Sequence, residues 1–453
     1  MSTVLVNQVP PQPQSVAETD LSLSFLADLA IKTIYTHSVM TGQEIAESLK
    51  LPFANVIEKA LDHLRRSRLV DVKGAEGLVE SSRQYTVSRL GVTYVHDLMQ
   101  VTQYVGPAPV SLDAYAKMVN AQSGARKTIT PTALKHSLGH LVLSDTLIDQ
   151  LGAAVNGARS VFLFGKTGNG KTSIGLSLGT LLPGAIWVPY ALNVQGQVIK
   201  VFDPLRHRLV TLQPAQDLAP TNQKSLLNRI DRAPAAYDDV VSASLMGQRH
   251  DERWVLVRRP LIVGGGELTL QNLDLILDDN LKAYEAPQQL KANGGVFLLD
   301  DLGRQTVSPR EILNRWIVPL EKRIDFLTLA TGRKIDVPFD TLVIFSTNLN
   351  PEQLVDEAFL RRIRYKINVP DPTWEDFREI FKRICNAKGV QYSEEGLRHL
   401  VMEHYIKPKR KPRAVHPRDI IDELTDIARF RNVPPVMSKE LLDLACSTYF
   451  IKL

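Results

Sequence analysis

Glycine, lysine and threonine are concentrated in residues 165–172, "GKTGNGKT", directly after the apolar run "VFLF". Their spacing fits G-x-x-x-x-G-K-[ST], in which a glycine-rich loop joins a buried strand to a helix. Such a loop lets backbone N–H groups converge on phosphate oxygens, and the helix N-terminus adds positive partial charge. The residues expected to bind ATP are Gly165, Lys166, Thr167, Gly168, Asn169, Gly170, Lys171 and Thr172. Among them, Lys171 is expected to reach the β- and γ-phosphates and Thr172 to ligate Mg²⁺.

Paired carboxylates end a second apolar run, "GGVFLLDD", at Asp300 and Asp301. Carboxylates at the C-terminal edge of a buried strand lie where ligands bind in open α/β sheets. We expect Asp300 to hold Mg²⁺ through water and Asp301 to polarise the attacking water. A third apolar run, "TLVIFSTN", ends at Asn348, whose amide can orient the same water.

Arginines follow these runs at two places. In "DEAFLRRIRYKI", Arg361 and Arg362 end a predicted helix before an apolar strand, which suits a finger that reaches a neighbouring subunit's γ-phosphate. The sequence leaves open which of the two acts. In "RAVHPRDII", Arg418 lies in the first turn of a predicted helix, and Arg413 is the alternative candidate for contact with the nucleotide.

Composition sets broad limits on the protein. A chain of 453 residues with 44% hydrophobic and 23% charged residues is expected to form two or three globular domains. The formal charge of +5 is small for this length, so the whole chain carries no strong signal for nucleic-acid binding. The absence of a membrane-length apolar run, of a signal peptide and of paired cysteines predicts a cytoplasmic protein without a membrane span. The ten histidines show no ligand spacing, so no zinc site is predicted.

The amino-terminal part divides into a tail and a small domain. Residues 1–20 are rich in Pro, Gln and Ser and are predicted to be disordered. Residues 21–105 predict three helices, with a capping box at Thr41 and Glu44, and then two strands. This pattern resembles a winged-helix domain, which could dock a protein or bind DNA. Nine basic and nine acidic residues in this stretch favour protein docking.

The remaining chain is predicted to contain a linker at 106–134, an α/β nucleotide-binding core at 135–370 and a helical lid at 371–453. In order, the motifs resemble those of the AAA+ ATPase superfamily, over about residues 135–453. The resemblance places Walker A at 165–172, Walker B at Asp300 and Asp301, sensor 1 at Asn348, the arginine finger at Arg361 or Arg362 and sensor 2 at Arg418. It implies a P-loop core of five parallel strands with a helical lid, and a ring or spiral homo-oligomer with nucleotide between subunits.

Two departures from the superfamily pattern bear on function. Most relatives have Asp-Glu where this chain has Asp300-Asp301. Because aspartate is one methylene shorter, either the attacking water lies closer or turnover is slow. The ending "DDLG" resembles those of helicase-loader and transposition-helper ATPases, which supports a role on DNA. The stretch between Lys171 and Asp300 is longer than a compact core needs, and this extra length includes a predicted hairpin at residues 197–212 and the apolar stretch 261–277. A further predicted hairpin at residues 324–339 resembles one found in the branch that contains MoxR-type chaperones. The main expectation is an ATPase that remodels a protein partner. The alternatives are a DNA-directed ATPase, in which the basic run "KPKRKPR" could contact nucleic acid, and an ATP-gated switch with little turnover.

Overall fold

The computed structural model describes residues 9–75, 80–123, 128–157, 160–210, 249–354 and 357–450. The amino-terminal elements are α1 (Leu23–His37), β1 (Val39–Thr41), α2 (Gly42–Leu49), α3 (Glu58–Arg66), β2 (Val70–Ala75), β3 (Arg83–Val87) and α4 (Arg89–Val101). The following elements are β4 (Val110–Ser111), α5 (Leu112–Ser123), α6 (Pro131–Ser137), α7 (Asp145–Asn156), β5 (Val161–Phe164), α8 (Lys171–Leu181), β6 (Ala185–Pro189), β7 (Ala191–Val194), β8 (Gln197–Lys200), β9 (Trp254–Arg258), β10 (Leu261–Gly264), β11 (Ile276–Asp278), β12 (Ala283–Glu285), α9 (Gln288–Lys291) and β13 (Val296–Leu299). The last elements are α10 (Pro309–Lys322), β14 (Ile324–Thr328), β15 (Lys334–Pro338), β16 (Leu342–Thr347), α11 (Pro351–Leu354), α12 (Glu357–Arg362), β17 (Tyr365–Asn368), α13 (Trp374–Lys388), α14 (Glu394–Val401), α15 (His416–Phe430) and α16 (Lys439–Tyr449).

Four helices, α1 to α4, and a three-stranded antiparallel sheet, ordered β1-β3-β2, make up the amino-terminal region. The predicted capping box is present, because the Thr41 side chain accepts from the Glu44 N–H and Glu44 accepts from the Thr41 N–H. Helix α3 begins at Glu58 rather than near Pro52, since Ala54 and Asn55 have non-helical backbone angles. Strand β1 was not predicted. The arrangement is the one that the winged-helix hypothesis requires, and that assignment stays a prediction.

The stretches predicted as a tail and a linker contain ordered structure. The prediction of disorder is wrong for residues 9–20: the Pro10 carbonyl accepts from the Asp251 N–H at 2.9 Å. The Thr19 carbonyl accepts from the buried Arg253 guanidinium at 2.9 Å, which needs such partners because it is removed from water. The same guanidinium donates to the Pro109 carbonyl at 3.2 Å. Residues 106–134 contain β4 and α5, so they are not simply extended, and residues 1–8 lie outside the described part.

Five strands form a fully parallel sheet in the order β10-β13-β16-β5-β17. Alternate residues point to opposite faces. Phe162, Phe297 and Phe345 pack with α10 on one face, whereas Leu163 and Leu298 pack with α7 and α8 on the other. Burial on both faces explains why each strand is a continuous apolar run. The fold is mixed α/β with a parallel sheet and a helical lid, as predicted.

Because the strands are parallel, their carboxyl ends lie along one edge of the sheet. The loops that follow β5, β13 and β16 therefore meet there. Strand β10, at the far edge, was mistaken in the sequence for part of an insertion.

A second, mixed sheet has the order β11-β12-β8-β7-β4. One of its faces packs against the amino-terminal region through Ala191, Val198 and Ala283. The predicted hairpin at residues 324–339 is present as β14 and β15, and Gly332 has a φ of 81° in its turn. The hairpin predicted to begin at Gln197 is wrong, because β8 pairs instead with β7, which precedes it.

The carboxyl-terminal helices α13 to α16 form a lid with its own core. Thr373 caps α13, and Asp376 completes the capping box, as the sequence predicts. Phe377, Phe381 and Leu424 are fully buried among these helices. Over the described residues, none of the helices has both the length and the apolar character that crossing a membrane requires.

Candidate nucleotide-binding site

The phosphate loop, residues 165–172, depends on its glycines. Gly165, Gly168 and Gly170 have φ values of 142°, 84° and 84°, which other residues rarely adopt. A β-carbon on Gly165 would lie 2.3 Å from the Val369 carbonyl oxygen, so the loop also lacks room for a side chain. Helix α8 begins at Lys171, immediately after Gly170. The first-turn N–H groups of that helix have no intrahelical acceptors and face the loop, where an anion can accept from them.

Lys171 lies at the centre of the loop, with only 5% of the residue exposed. Its ammonium donates to the carbonyls of Gly165 and Lys166 at 3.0 and 2.9 Å and to Asn348 Oδ1 at 2.8 Å. Burial lowers the pKa of Lys171, and the nearby carboxylates of Asp301 and Asp300 oppose that shift. The geometry brings together a lysine and an amide that lie far apart in the sequence. A buried cation held by neutral oxygens is poised to exchange them for phosphate oxygens.

Thr172 and Asp300 are also brought together. The Thr172 hydroxyl donates to Asp300 Oδ2 at 2.8 Å, while Asp300 Oδ1 is buried and has no hydrogen-bond partner. Mg²⁺ prefers hard oxygen ligands and keeps several waters. One hydroxyl and one carboxylate with an unused buried oxygen fit that preference, so these two residues would hold Mg²⁺.

Asp301 and Asn348 form the third contact. Asn348 Nδ2 donates to Asp301 Oδ1 at 3.2 Å, and the same amide accepts from Lys171. These two bonds orient the amide, because its oxygen faces the cation and its nitrogen faces the carboxylate. Asp301 has a φ of 50°, a left-handed conformation that costs free energy in a non-glycine residue and occurs often at functional sites.

Gln305 supports the turn after β13 and was not predicted as a site residue. Its Oε1 accepts from the Gly303 N–H at 2.9 Å, and its Nε2 donates to the Asp300 carbonyl at 3.1 Å. These bonds hold the backbone that carries both aspartates. The sequence offers only a glutamine in a loop here, which gives no signal for this role.

A cavity of about 370 Å³ opens above the phosphate loop, which is within the usual range for a ligand pocket. Asp301, Asn348 and Arg418 contribute its polar wall. Its apolar lining, which was not predicted, consists of Leu141, Val142, Leu143, Ile380 and Ile384. A pocket with phosphate-binding groups at one end and aliphatic side chains at the other suits a nucleotide with its base on the apolar side.

The lid contacts the phosphate loop directly. Asn169 Nδ2 donates to Asp371 Oδ1 at 2.8 Å, and the Arg413 guanidinium pairs with the same carboxylate. The Val415 N–H donates to the Gly168 carbonyl at 2.8 Å. Arg413, the alternative to Arg418, is thus occupied in an ion pair.

Arg418 lines the cavity, as its predicted role requires. Its side chain is 60% exposed and pairs with Asp419 at 3.0 Å. A second lid arginine, Arg383, donates to the carbonyls of Gly139 and Leu141 at 2.8 and 3.2 Å, which ties α13 to the segment that provides the apolar wall.

Arg361 and Arg362 end α12 and are not among the residues that line this cavity. Arg362 Nε donates to Glu321 at 3.2 Å, and its carbonyl accepts from the Ser160 hydroxyl at 3.4 Å. The two arginines are therefore separate from the cavity of their own chain. Their role as a finger stays a prediction, which requires a second subunit.

A family described as a domain of unknown function (DUF8689) matches residues 373–448, within the lid. No curated protein matches the chain. NtrX from Brucella abortus aligns with a TM-score of 0.40 and 13% identity over 70% of this chain and 57% of its own. NtrX in complex with ATP gives 0.38 and 13%, over 68% of this chain and 56% of its own. The Holliday junction branch migration motor RuvB from Thermotoga maritima gives 0.34 and 12%, over 68% and 70%.

This chain spans a little over half of NtrX, at 57% and 56% in these two structures. TM-scores of 0.40 and below carry no argument about activity. What this site can do is therefore inferred from its own geometry: an anion-binding loop, a buried lysine and two carboxylates meet at one end of a parallel sheet.

Proposed function

We propose that the protein is a Mg²⁺-dependent ATPase that uses hydrolysis to remodel a protein partner. The observation that carries the proposal is the connected set Lys171, Asn348 and Asp301, beside the pair Thr172 and Asp300. In this set, a phosphate-binding cation, an orienting amide and a proton acceptor occupy one end of a cavity of nucleotide size. Phosphoryl transfer to water depends on positioning and electrostatic stabilisation, which groups placed in this way can supply.

Each residue has a defined part in the proposed reaction. Lys171 and the N–H groups of the phosphate loop bind the phosphates, and Asp301 accepts the proton of the attacking water. Asn348 holds the Asp301 carboxylate and the Lys171 ammonium in a fixed relation, so the water is oriented between base and phosphate. Thr172 and Asp300 would hold Mg²⁺, which would neutralise charge on the β- and γ-phosphates.

The partner is proposed to be a protein that binds the amino-terminal region. Equal numbers of acidic and basic residues at 21–105 support this, because a DNA-binding face requires an excess of Lys and Arg. In the same proposal the protein is cytoplasmic and forms a ring or spiral, with Arg361 or Arg362 reaching the neighbour's nucleotide. A DNA-directed ATPase is the second candidate, supported by the basic run at residues 407–413.

The decisive experiment separates binding of ATP from its hydrolysis. Asp301→Asn keeps the size of the side chain and removes its basicity, so ATP binding measured by isothermal titration should persist. The hydrolysis rate, measured by phosphate release, should fall by about 10²–10⁴-fold, the usual contribution of a general base. Asp336→Asn, on the exposed face of β15, is the matched control and should hydrolyse ATP normally. Wild-type turnover in Asp301→Asn would contradict the assignment, and undetectable turnover in the wild type would favour the ATP-gated switch.

A further inference from the structure

Three potential metal ligands meet on the surface of the lid, away from the nucleotide cavity. They are His399 on α14, His404 just after that helix, and Asp443 on α16. His399 Nε2 and His404 Nε2 lie 2.8 and 2.7 Å from the same Asp443 oxygen, Oδ1. One ligand atom from each residue can be chosen so that all three lie within 4.8 Å of one another. Among the described residues, this is the one group of three or more such side chains with that proximity.

The backbone explains why two histidines five residues apart share a side. Five residues of an α-helix turn about 500°, so the side chains would diverge by about 140°. Residues 402–406 instead form a π-turn, in which the Lys407 N–H donates to the Met402 carbonyl at 3.1 Å. The wider turn brings His404 round to the side of His399. Such π-turns are rare and often occur at functional sites. The five-residue spacing of the two histidines gave no signal in the sequence, because helical ligand pairs are expected three or four residues apart.

The surroundings are suitable for an ion that enters from solvent. The side chains of His399 and His404 are 21% and 22% exposed, and that of Asp443 is 49% exposed. One helical turn away on the same α14–α16 seam, Lys439 pairs with Glu395 at 2.8 Å. This exposed pair contributes little to the packing of α14 against α16, which share the buried apolar core of the lid. The three polar side chains are therefore not needed simply to close the seam.

We propose that His399, His404 and Asp443 bind Zn²⁺. Zinc prefers ligand sets such as two imidazole nitrogens and one carboxylate oxygen. Ions that prefer oxygen ligands alone, such as Mg²⁺, do not favour this set. Three protein ligands leave the fourth tetrahedral position to water or to a side chain of a partner. The site is independent of the proposed ATPase reaction, and it lies inside the segment that matches the domain of unknown function.

The test uses the full chain without an affinity tag, because polyhistidine would bind the same ions. Zn²⁺ binding is measured by isothermal titration and by metal analysis after gel filtration, in excess Mg²⁺ to occupy the oxygen ligands at Thr172 and Asp300. One equivalent is expected. His399→Gln, His404→Gln and Asp443→Asn should each weaken binding at least about 10-fold, since even loss of an outer partner of a metal ligand costs 10–100-fold. Glu395→Gln, in the neighbouring ion pair, is the control and should bind normally.

A second measurement does not depend on the folding of any variant. Co²⁺ in place of Zn²⁺ should give the intense visible absorption of a four-coordinate ion in the wild type. That absorption should disappear on addition of a chelator or of excess Zn²⁺, because both remove Co²⁺ from the site. Absence of one-equivalent binding in the wild type would overturn the proposal. Binding of equal strength in all three ligand variants, or a weak six-coordinate cobalt spectrum, would also overturn it.

Discussion

The two five-stranded sheets of this protein are built from similar apolar residues but differ in where their polar residues lie and in what those residues do. The parallel sheet is buried on both faces and places its polar residues, such as Asp301 and Asn348, at the strand tips. The mixed sheet has buried ionic groups beside it, and Arg253 and Asp251 pair there with both side chains 5% exposed. Groups at the tips can exchange their partners for a ligand. The buried pair cannot, so it contributes to structure rather than to chemistry.

The largest expected effect is at the tip of β5. Lys171→Ala removes the buried cation that faces the phosphate position, so ATP binding measured by isothermal titration should be abolished. Lys135→Ala, which removes an exposed lysine paired with Asp145 at 2.7 Å, should leave binding unchanged. Equal ATP affinity in Lys171→Ala and the wild type would contradict the proposal that this end of the parallel sheet binds ATP, which distinguishes it from the mixed sheet.

A smaller effect, on rate alone, is expected from Arg362→Ala. If the arginine reaches a neighbour's nucleotide, turnover should fall by about 10³–10⁵ while ATP binding persists. Arg361→Ala tests the other candidate, and Arg364→Ala removes a nearby exposed charge as the control. Mixing Arg362→Ala with Lys171→Ala should restore part of the activity, because one subunit then supplies the finger and the other the nucleotide site. Mixed oligomers that stay inactive at every ratio would argue against a shared site.

Substitutions beside the mixed sheet should change the stability of the protein rather than its chemistry. Arg253→Met leaves the Asp251 carboxylate buried without its partner, which typically costs about 3–5 kcal/mol. We expect this loss in the denaturant unfolding transition of the region, followed by circular dichroism. Glu252→Gln is the control: its ion pair with Lys50 is exposed and 3.8 Å long, so less than about 1 kcal/mol should be lost. Similar losses of unfolding free energy in the two variants would show that burial does not determine how much each ion pair contributes to stability.

The smallest effect is expected at the amino-terminal region. Fluorescence anisotropy of the full chain on random duplex DNA should show weak binding, with a Kd of about 10⁻⁴ M or higher at physiological salt. Reversing the charges of Arg65, Arg66 and Arg68 to glutamate should barely change the affinity or its salt dependence. Tight binding with a steep salt slope that this reversal abolishes would instead favour the DNA-directed ATPase.

Sequence alone predicted the parallel sheet and most of the polar residues that meet at its carboxyl edge, for a physical reason. A strand buried on both faces must be apolar throughout, and a phosphate loop must have glycines where φ is positive, so both leave local signals. Phe162 and Gly168 illustrate the two cases. The mixed sheet leaves no such signal, because β4, β8 and β12 are short and come from distant parts of the chain. Contacts that depend on that assembly, such as Arg253 with Thr19, could not be predicted.

The candidate site likewise contains some residues that could be predicted from the sequence and others that could not. Lys171, Asp300 and Asn348 were predicted because each follows an apolar run at a fixed place. Gln305 was missed because a glutamine in a loop gives no signal of its bonds to the turn that carries the aspartates. The aliphatic wall of the cavity was missed because it forms only when the lid packs against residues 141–143. The histidine pair on the lid was missed because a π-turn changes which residues share a face.

The contacts between the phosphate loop and the lid have a mechanical consequence. Ala414 and Asn169 are 245 residues apart in sequence, yet the Ala414 N–H donates to Asn169 Oδ1 at 3.4 Å. The neighbouring Val415 N–H is bonded to the Gly168 carbonyl, and a β-carbon on Gly168 would lie 2.6 Å from Val415 Cγ1. Rotation of a peptide in the phosphate loop would therefore disturb the contacts at the start of α15. Because these bonds join the lid directly to the backbone of the phosphate loop, the conformation of the loop and the position of the lid depend on each other.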